Sequence, residues 1–128
     1  MSYSFSKKVN LSYEQAIEKT REELTKEGFG VLTEIDVRDV LKKKLNVEFK
    51  KYKILGACNP PFAFQALQSE EQIGLMLPCN LIVYEDDRGL TTVAAIDPIA
   101  SMQAIHNPDL IKIAGQVQQK LKKVIEQI

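Results

Sequence analysis

The sequence predicts a single α+β domain, a mainly antiparallel sheet with its long helices packed on one face. Three observations carry this expectation. Short apolar or alternating segments interleave with helical ones in the order β-α-β-α-β-α-β-β-α, and sequential strands of this kind pair antiparallel. The C-terminal stretch repeats apolar residues at three- and four-residue steps, as a helix packed across a sheet does. Its 128 residues, 45% hydrophobic and 27% charged, suit one core, and no repeat, linker or low-complexity segment divides residues 1–128.

Taken in order, Tyr3, Phe5, Lys7 and Val9 alternate with Ser4, Ser6 and Lys8, the period-two pattern of a strand. Ser12 and Gln15 form a capping box at the start of a helix, with Tyr13, Ile17, Thr20 and Leu24 on one side. Gly28-Phe29-Gly30 ends it, since glycine accepts the left-handed conformation beyond a C-cap. Val31 to Ile35 is rich in β-branched residues and reads as the second strand. Asp36 caps a short helix whose buried side is expected to carry Val37, Val40, Leu41 and Leu45.

Tyr52 to Ala57 is the third strand. Asn59 as N-cap and Pro60 as first helical residue then open another short helix, with Phe62, Ala63, Ala66 and Leu67 on its apolar side. Ile73 to Asp86 reads as one long strand interrupted by Pro78, which places the proline at an edge or a bulge. Asp86 to Gly89 is a hairpin turn leading into Leu90 to Ile96, and Asp97-Pro98 closes that strand. Asn107-Pro108-Asp109 starts the last helix, whose apolar positions run from Leu110 through Ile113, Val117, Leu121 and Val124 to Ile128.

Charge and targeting signals narrow the function classes. Seventeen basic and seventeen acidic residues cancel, so no net field favours nucleic acid, a membrane surface or an acidic partner. The lysines at 42–44, 50, 51, 53, 120, 122 and 123 read as solvated faces. The N-terminus lacks the apolar core of a signal peptide, and no apolar run approaches the roughly 20 residues a bilayer requires. The cytoplasm is the expected compartment, with both cysteines as free thiols. Glycines at 28, 30, 56, 74, 89 and 115 match neither a dinucleotide fingerprint nor a P-loop, and no cofactor is assigned.

The candidate chemistry lies at two Cys-Asn pairs, Cys58-Asn59 and Cys79-Asn80, each with its cysteine at the end of an apolar run and proline beside it. Cys58 precedes a helix N-terminus, where unsatisfied N–H groups and the macrodipole favour a thiolate; it is the candidate nucleophile or redox thiol. Buried, it would be a small hydrophobe instead. A metal at Cys58 and Cys79 would need further ligands, and His106, Met102 and Asp97 are the available ones, without zinc-finger spacing. A Cys–His pair would have to recruit His106, the single histidine. Whether the two cysteines meet depends on strand pairing.

Leu55-Gly56-Ala57-Cys58-Asn59-Pro60, the stretch from Leu77 to Glu85, and Ala94-Ala95-Ile96-Asp97-Pro98 together resemble the domain of unknown function 302 family. The resemblance spans Ser12 to the C-terminus, with three motifs in order. It implies a β-α-β(4)-α arrangement similar to the TATA-binding-protein-like fold, and a small, often homodimeric bacterial or archaeal protein without an established activity. Likeness to a DNA-binding fold transfers no function. The family's motif positions fall on Gly56, Cys58, Asn59, Pro60, Pro78, Cys79, Asn80, Asp97 and Pro98.

Three readings follow. The first is a homodimeric module that binds a small ligand or metal at Cys58, Asn59, Cys79, Asn80 and Asp97. The second is a structural or interaction protein in which these motifs serve folding and dimer packing. The third is a thiol-dependent enzyme or redox sensor using Cys58.

Overall fold

A computed structural model describes residues 2–128. Five strands, β1 (Ser4–Val9), β2 (Gly30–Asp36), β3 (Tyr52–Cys58), β4 (Cys79–Glu85) and β5 (Thr91–Ile96), form one sheet in the order β1-β5-β4-β3-β2. Every neighbouring pair is antiparallel. The β4–β5 hairpin holds the middle because its turn is tightly specified. Asp86 Oδ1 accepts from the Arg88 and Leu90 amides, both at 2.9 Å, and Gly89 sits at φ 78°, open to glycine without strain.

Two long helices, α1 (Tyr13–Lys26) and α5 (Pro108–Gln127), lie side by side on one sheet face. Their ends are as the sequence indicates. Ser12 and Gln15 close a reciprocal capping box, and Asn107 Oδ1 caps the Asp109 and Leu110 amides. Leu24 from α1, Leu121 and Val124 from α5, and Leu81, Val83 and Val93 from the sheet are wholly buried together. Burying side chains of this size contributes about 1.5–3 kcal/mol each, so this layer is the main source of stability.

Short helices fill the connections: α2 (Val37–Leu45), α3 (Pro60–Ser69) and α4 (Pro98–Ser101), with a 3-10 helix at Glu71–Met76. Three expectations are corrected here. None of the residues of α2 is buried, and Val40 and Leu45 are exposed, because α2 grows from edge strand β2 and packs mainly on β2 and β3, with no layer beyond it. The stretch from Ile73 to Met76 is 3-10 helix, not strand: Ile73 is fully buried in a second cluster with Ala66, Met102, Leu110 and Ala114, which the extended path would not reach. Pro78 lies neither on an edge nor in a bulge. It immediately precedes β4, an interior strand, so its missing N–H costs the ladder nothing. The bulge is in β2, between Val31 and Thr33. The short α4 follows Asp97-Pro98, where Asp97 caps the Ile99 amide at 3.0 Å and Pro98 takes the first helical position, so the segment after β5 is helical and not only a strand end.

Gly56 controls how closely these parts meet. A Cβ there would collide with Thr33 Oγ1 and come within 2.7 Å of Pro78 Cγ. The exposed Thr33 hydroxyl can rotate aside, but the Pro78 ring is held between the 3-10 helix and β4 and cannot yield cheaply. Gly56→Ala is expected to destabilise the protein by about 1–3 kcal/mol in urea unfolding. Gly115→Ala, inside α5 where a new Cβ meets nothing within 4 Å, is expected to stabilise it by about 0.5–1 kcal/mol. Equal responses would remove the steric role assigned to Gly56.

Candidate functional site

The Cys-Asn motifs come together at one end of the β3–β4 ladder. Cys58 is the last residue of β3 and Cys79 the first of β4, and the register pairs Ala57 with Cys79 and Gly56 with Asn80. Strand residues alternate faces, so Cys79 shares the core face with Ala57, while Cys58 follows the phase of Gly56 and Asn80. The thiols are free and form no disulfide.

Around this end lies a cavity of about 340 Å³. Phe62, Ala63 and Ala66 of α3 form one wall, and Leu110, Ile113 and Ala114 of α5 form another. Cys58, Asn59, Cys79, Pro78 and Met102 complete its floor and sides, and no charged side chain lines it. The alanines matter: small residues at 63, 66 and 114 leave between the helices the space that larger ones would fill. At the mouth stand Leu32, 68% exposed, and Leu67, 44% exposed.

The predicted site residues divide. Cys58, Asn59 and Cys79 line the cavity together. Asn80 is exposed on the opposite face from Cys79, as period-two alternation requires of its neighbour. Asp97 does not line the cavity: its carboxylate caps α4 and accepts two hydrogen bonds from Gln118 Nε2, at 3.1 and 3.2 Å. His106 is exposed in the turn before α5 and lies outside the cavity lining. Met102, weighed as a metal ligand, is a buried wall residue. Among the described residues no three His, Cys, Asp or Glu side chains gather as a metal-binding group. Phe62, Ala63, Ala66 and Leu67 read from sequence as the core side of a helix, and only Ala66 is buried; the signal was present but did not distinguish core from cavity wall.

Its surroundings make the Cys79 thiol a poor nucleophile. Burial, and secondarily the nearby Cys58, push the Cys79 thiol from an ordinary 9.0 to about 11. For Cys58, the adjacent helix starts with Pro60 and Pro61, so two of the amides that would stabilise a thiolate carry no hydrogen. Asn59 caps nothing with its side chain. Its Nδ2 instead donates to the Glu27 carbonyl at 3.0 Å, tying the start of α3 to the end of α1, where Gly28 at φ 86° leaves room for the amide.

The sequence profile of the domain of unknown function DUF302 matches residues 5–128. The chain belongs to the DUF302 family. The crystal structure of an uncharacterised conserved DUF302 protein from Bacillus stearothermophilus is similar throughout, with a TM-score of 0.92 and 29% identity over 99% of this chain and 98% of that one. No protein of curated function matches the chain. The β-α-β(4)-α order read from the motifs is therefore the arrangement of this DUF302 domain, with α2, α3, the 3-10 helix and α4 inserted between its main elements. No helix among the described residues is long and apolar enough to cross a membrane.

Because the folded state holds Cys79 protonated to a higher pH than the unfolded state does, its contribution is fully present below about pH 9 and is lost as pH rises toward about 11. Urea unfolding at pH 8 and pH 10.5 should show the wild type losing about 2 kcal/mol more than Cys79→Ala over that interval. Tyr13, raised to about 12 mainly by burial, acts in the same direction in both proteins and cancels from the comparison. Parallel pH profiles would remove Cys79 from the alkaline response.

Proposed function

We propose that this DUF302 protein is a binding module for a small apolar molecule, held in the cavity that Cys58, Asn59 and Cys79 help to line. The observation that supports it is the cavity itself: about 340 Å³, apolar, free of charged side chains, with exposed leucines at its mouth. Ligand sites commonly occupy about 300–1,000 Å³, lined mainly by apolar groups with a few fixed polar ones. The thiols act as small apolar wall groups, which suits a buried neutral Cys79 better than catalysis does. A metal fits this cavity poorly, because two sulfurs without a third ligand among the described residues do not make a closed site. A reducing cytoplasm belongs to the same proposal, since it keeps both thiols available as wall groups.

Nile red, a neutral dye that brightens in apolar surroundings, tests this. Wild-type protein should bind it saturably, and Ala63→Phe, which fills the cavity from a half-buried position on α3, should weaken binding at least tenfold while circular dichroism stays unchanged. Equal binding by the two would end the cavity reading.

A second reading, a homodimer, is favoured by a separate surface. Ile35, Val40, Leu45, Val47 and Phe49, on and after edge strand β2 and along α2, are 38–66% exposed, so the described residues leave this apolar patch largely uncovered. β2 also presents an unpaired edge, which proteins ordinarily cover or blunt. A second copy with the same patch would cover both, as isologous interfaces do. Analytical ultracentrifugation should find a dimer that Val40→Glu with Leu45→Glu converts to a folded monomer. A wild-type monomer at tens of micromolar would overturn it.

A further inference from the structure

The cavity holds one polar side chain other than its thiols. Asn59 is only 8% exposed, and its amide is half satisfied: Nδ2 donates to the Glu27 carbonyl, while Oδ1 accepts no hydrogen bond from the described residues. An asparagine at an N-cap ordinarily accepts from the second or third helical amide. Here the second position is Pro61, which has no N–H, and the tie to Glu27 holds the amide away from the third. No side-chain nitrogen or oxygen among the described residues is both sealed and unpartnered, so Oδ1 keeps access to solvent or to whatever fills the cavity beside it.

An accessible carbonyl oxygen on a residue that lines an otherwise apolar cavity can select a ligand by hydrogen-bond sense. A carboxylate ligand would meet another acceptor and no cation, because no lysine, arginine or histidine lines the space. An ammonium group could donate, yet it would give up its hydration without an anion to pair with. A pure hydrocarbon would cover Oδ1 and leave it unsatisfied. A neutral O–H group avoids all three costs.

We propose, resting on the cavity reading, that the ligand is a neutral hydroxyl-bearing apolar molecule, an alkyl alcohol or alkylphenol, whose O–H donates to Asn59 Oδ1. The class is narrower than the cavity alone requires, because the apolar walls would admit fatty acids and alkanes equally.

Displacement of Nile red from the wild-type protein at pH 7.5 tests this with matched probes: 1-decanol, decyl methyl ether, decanoate and decylamine. Decanol should displace the dye at roughly tenfold lower concentration than the ether, which has the same chain without a donor, and both charged probes should be weaker still. Asn59→Ala should abolish the advantage of decanol over the ether, read as the ratio of their displacing concentrations within that variant. If that variant does not fold, the Asn59 side-chain amide resonances in the wild type serve instead, shifting with decanol and not with the ether. Equal displacement by alcohol and ether, or a preference for decanoate or decylamine, would overturn the hydroxyl assignment while leaving the cavity reading standing. Absence of saturable dye binding, or displacement that Ala63→Phe does not alter, would overturn both.

Discussion

The close approach at Gly56 is the constraint on which the rest of this structure depends. Three parts of the chain converge there: the bulged edge strand through Thr33, the middle of β3, and Pro78 at the start of β4. Without a side chain at 56, Pro78 packs onto β3 and the chain can leave the 3-10 helix directly into an interior strand. That entry sets Cys79 opposite Ala57 and leaves the end of the ladder beneath α3 and α5. A wider separation would move the floor of the cavity away from its walls.

The motif residues then serve backbone demands and shape a site at once. Gly56 and Pro78 set the approach, Pro60 and Pro61 start α3, and Asn59 fastens that helix to the end of α1. Each of these roles is structural, and each also positions a group at the cavity. The structural and binding readings are therefore not opposed: the geometry that folds the motifs is what encloses the space. The same geometry counts against thiol chemistry, because it buries Cys79 in apolar surroundings and begins α3 with residues lacking amide hydrogens.

The second surface follows from topology. With β2 at the sheet edge and α2 packed mainly against β2 and β3, part of the helix's apolar side is left uncovered by the described residues. Amphipathic periodicity shows that a helix has an apolar side. It does not show that the chain itself covers that side, and this is why Val40 and Leu45 read as core and are exposed.

What the sequence determined by itself is local and one-dimensional: the capping box of α1, the proline starts of α3 and α5, the Asp86–Gly89 turn, the periodicity of α5, and the three motifs that identify the family. These depend on neighbours a few residues apart, so residue order suffices to reveal them. Tertiary structure decided the rest. It made Ile73 to Met76 a 3-10 helix, because a buried niche between α3 and α5 draws Ile73 in. It also drew Cys58, Asn59 and Cys79 to one cavity while placing Asn80 and Asp97 elsewhere. Cavities are spaces left between elements distant in sequence, here residues 29–32, 57–79 and 98–117, and their existence depends on strand register and helix separation. No local pattern encodes those two quantities.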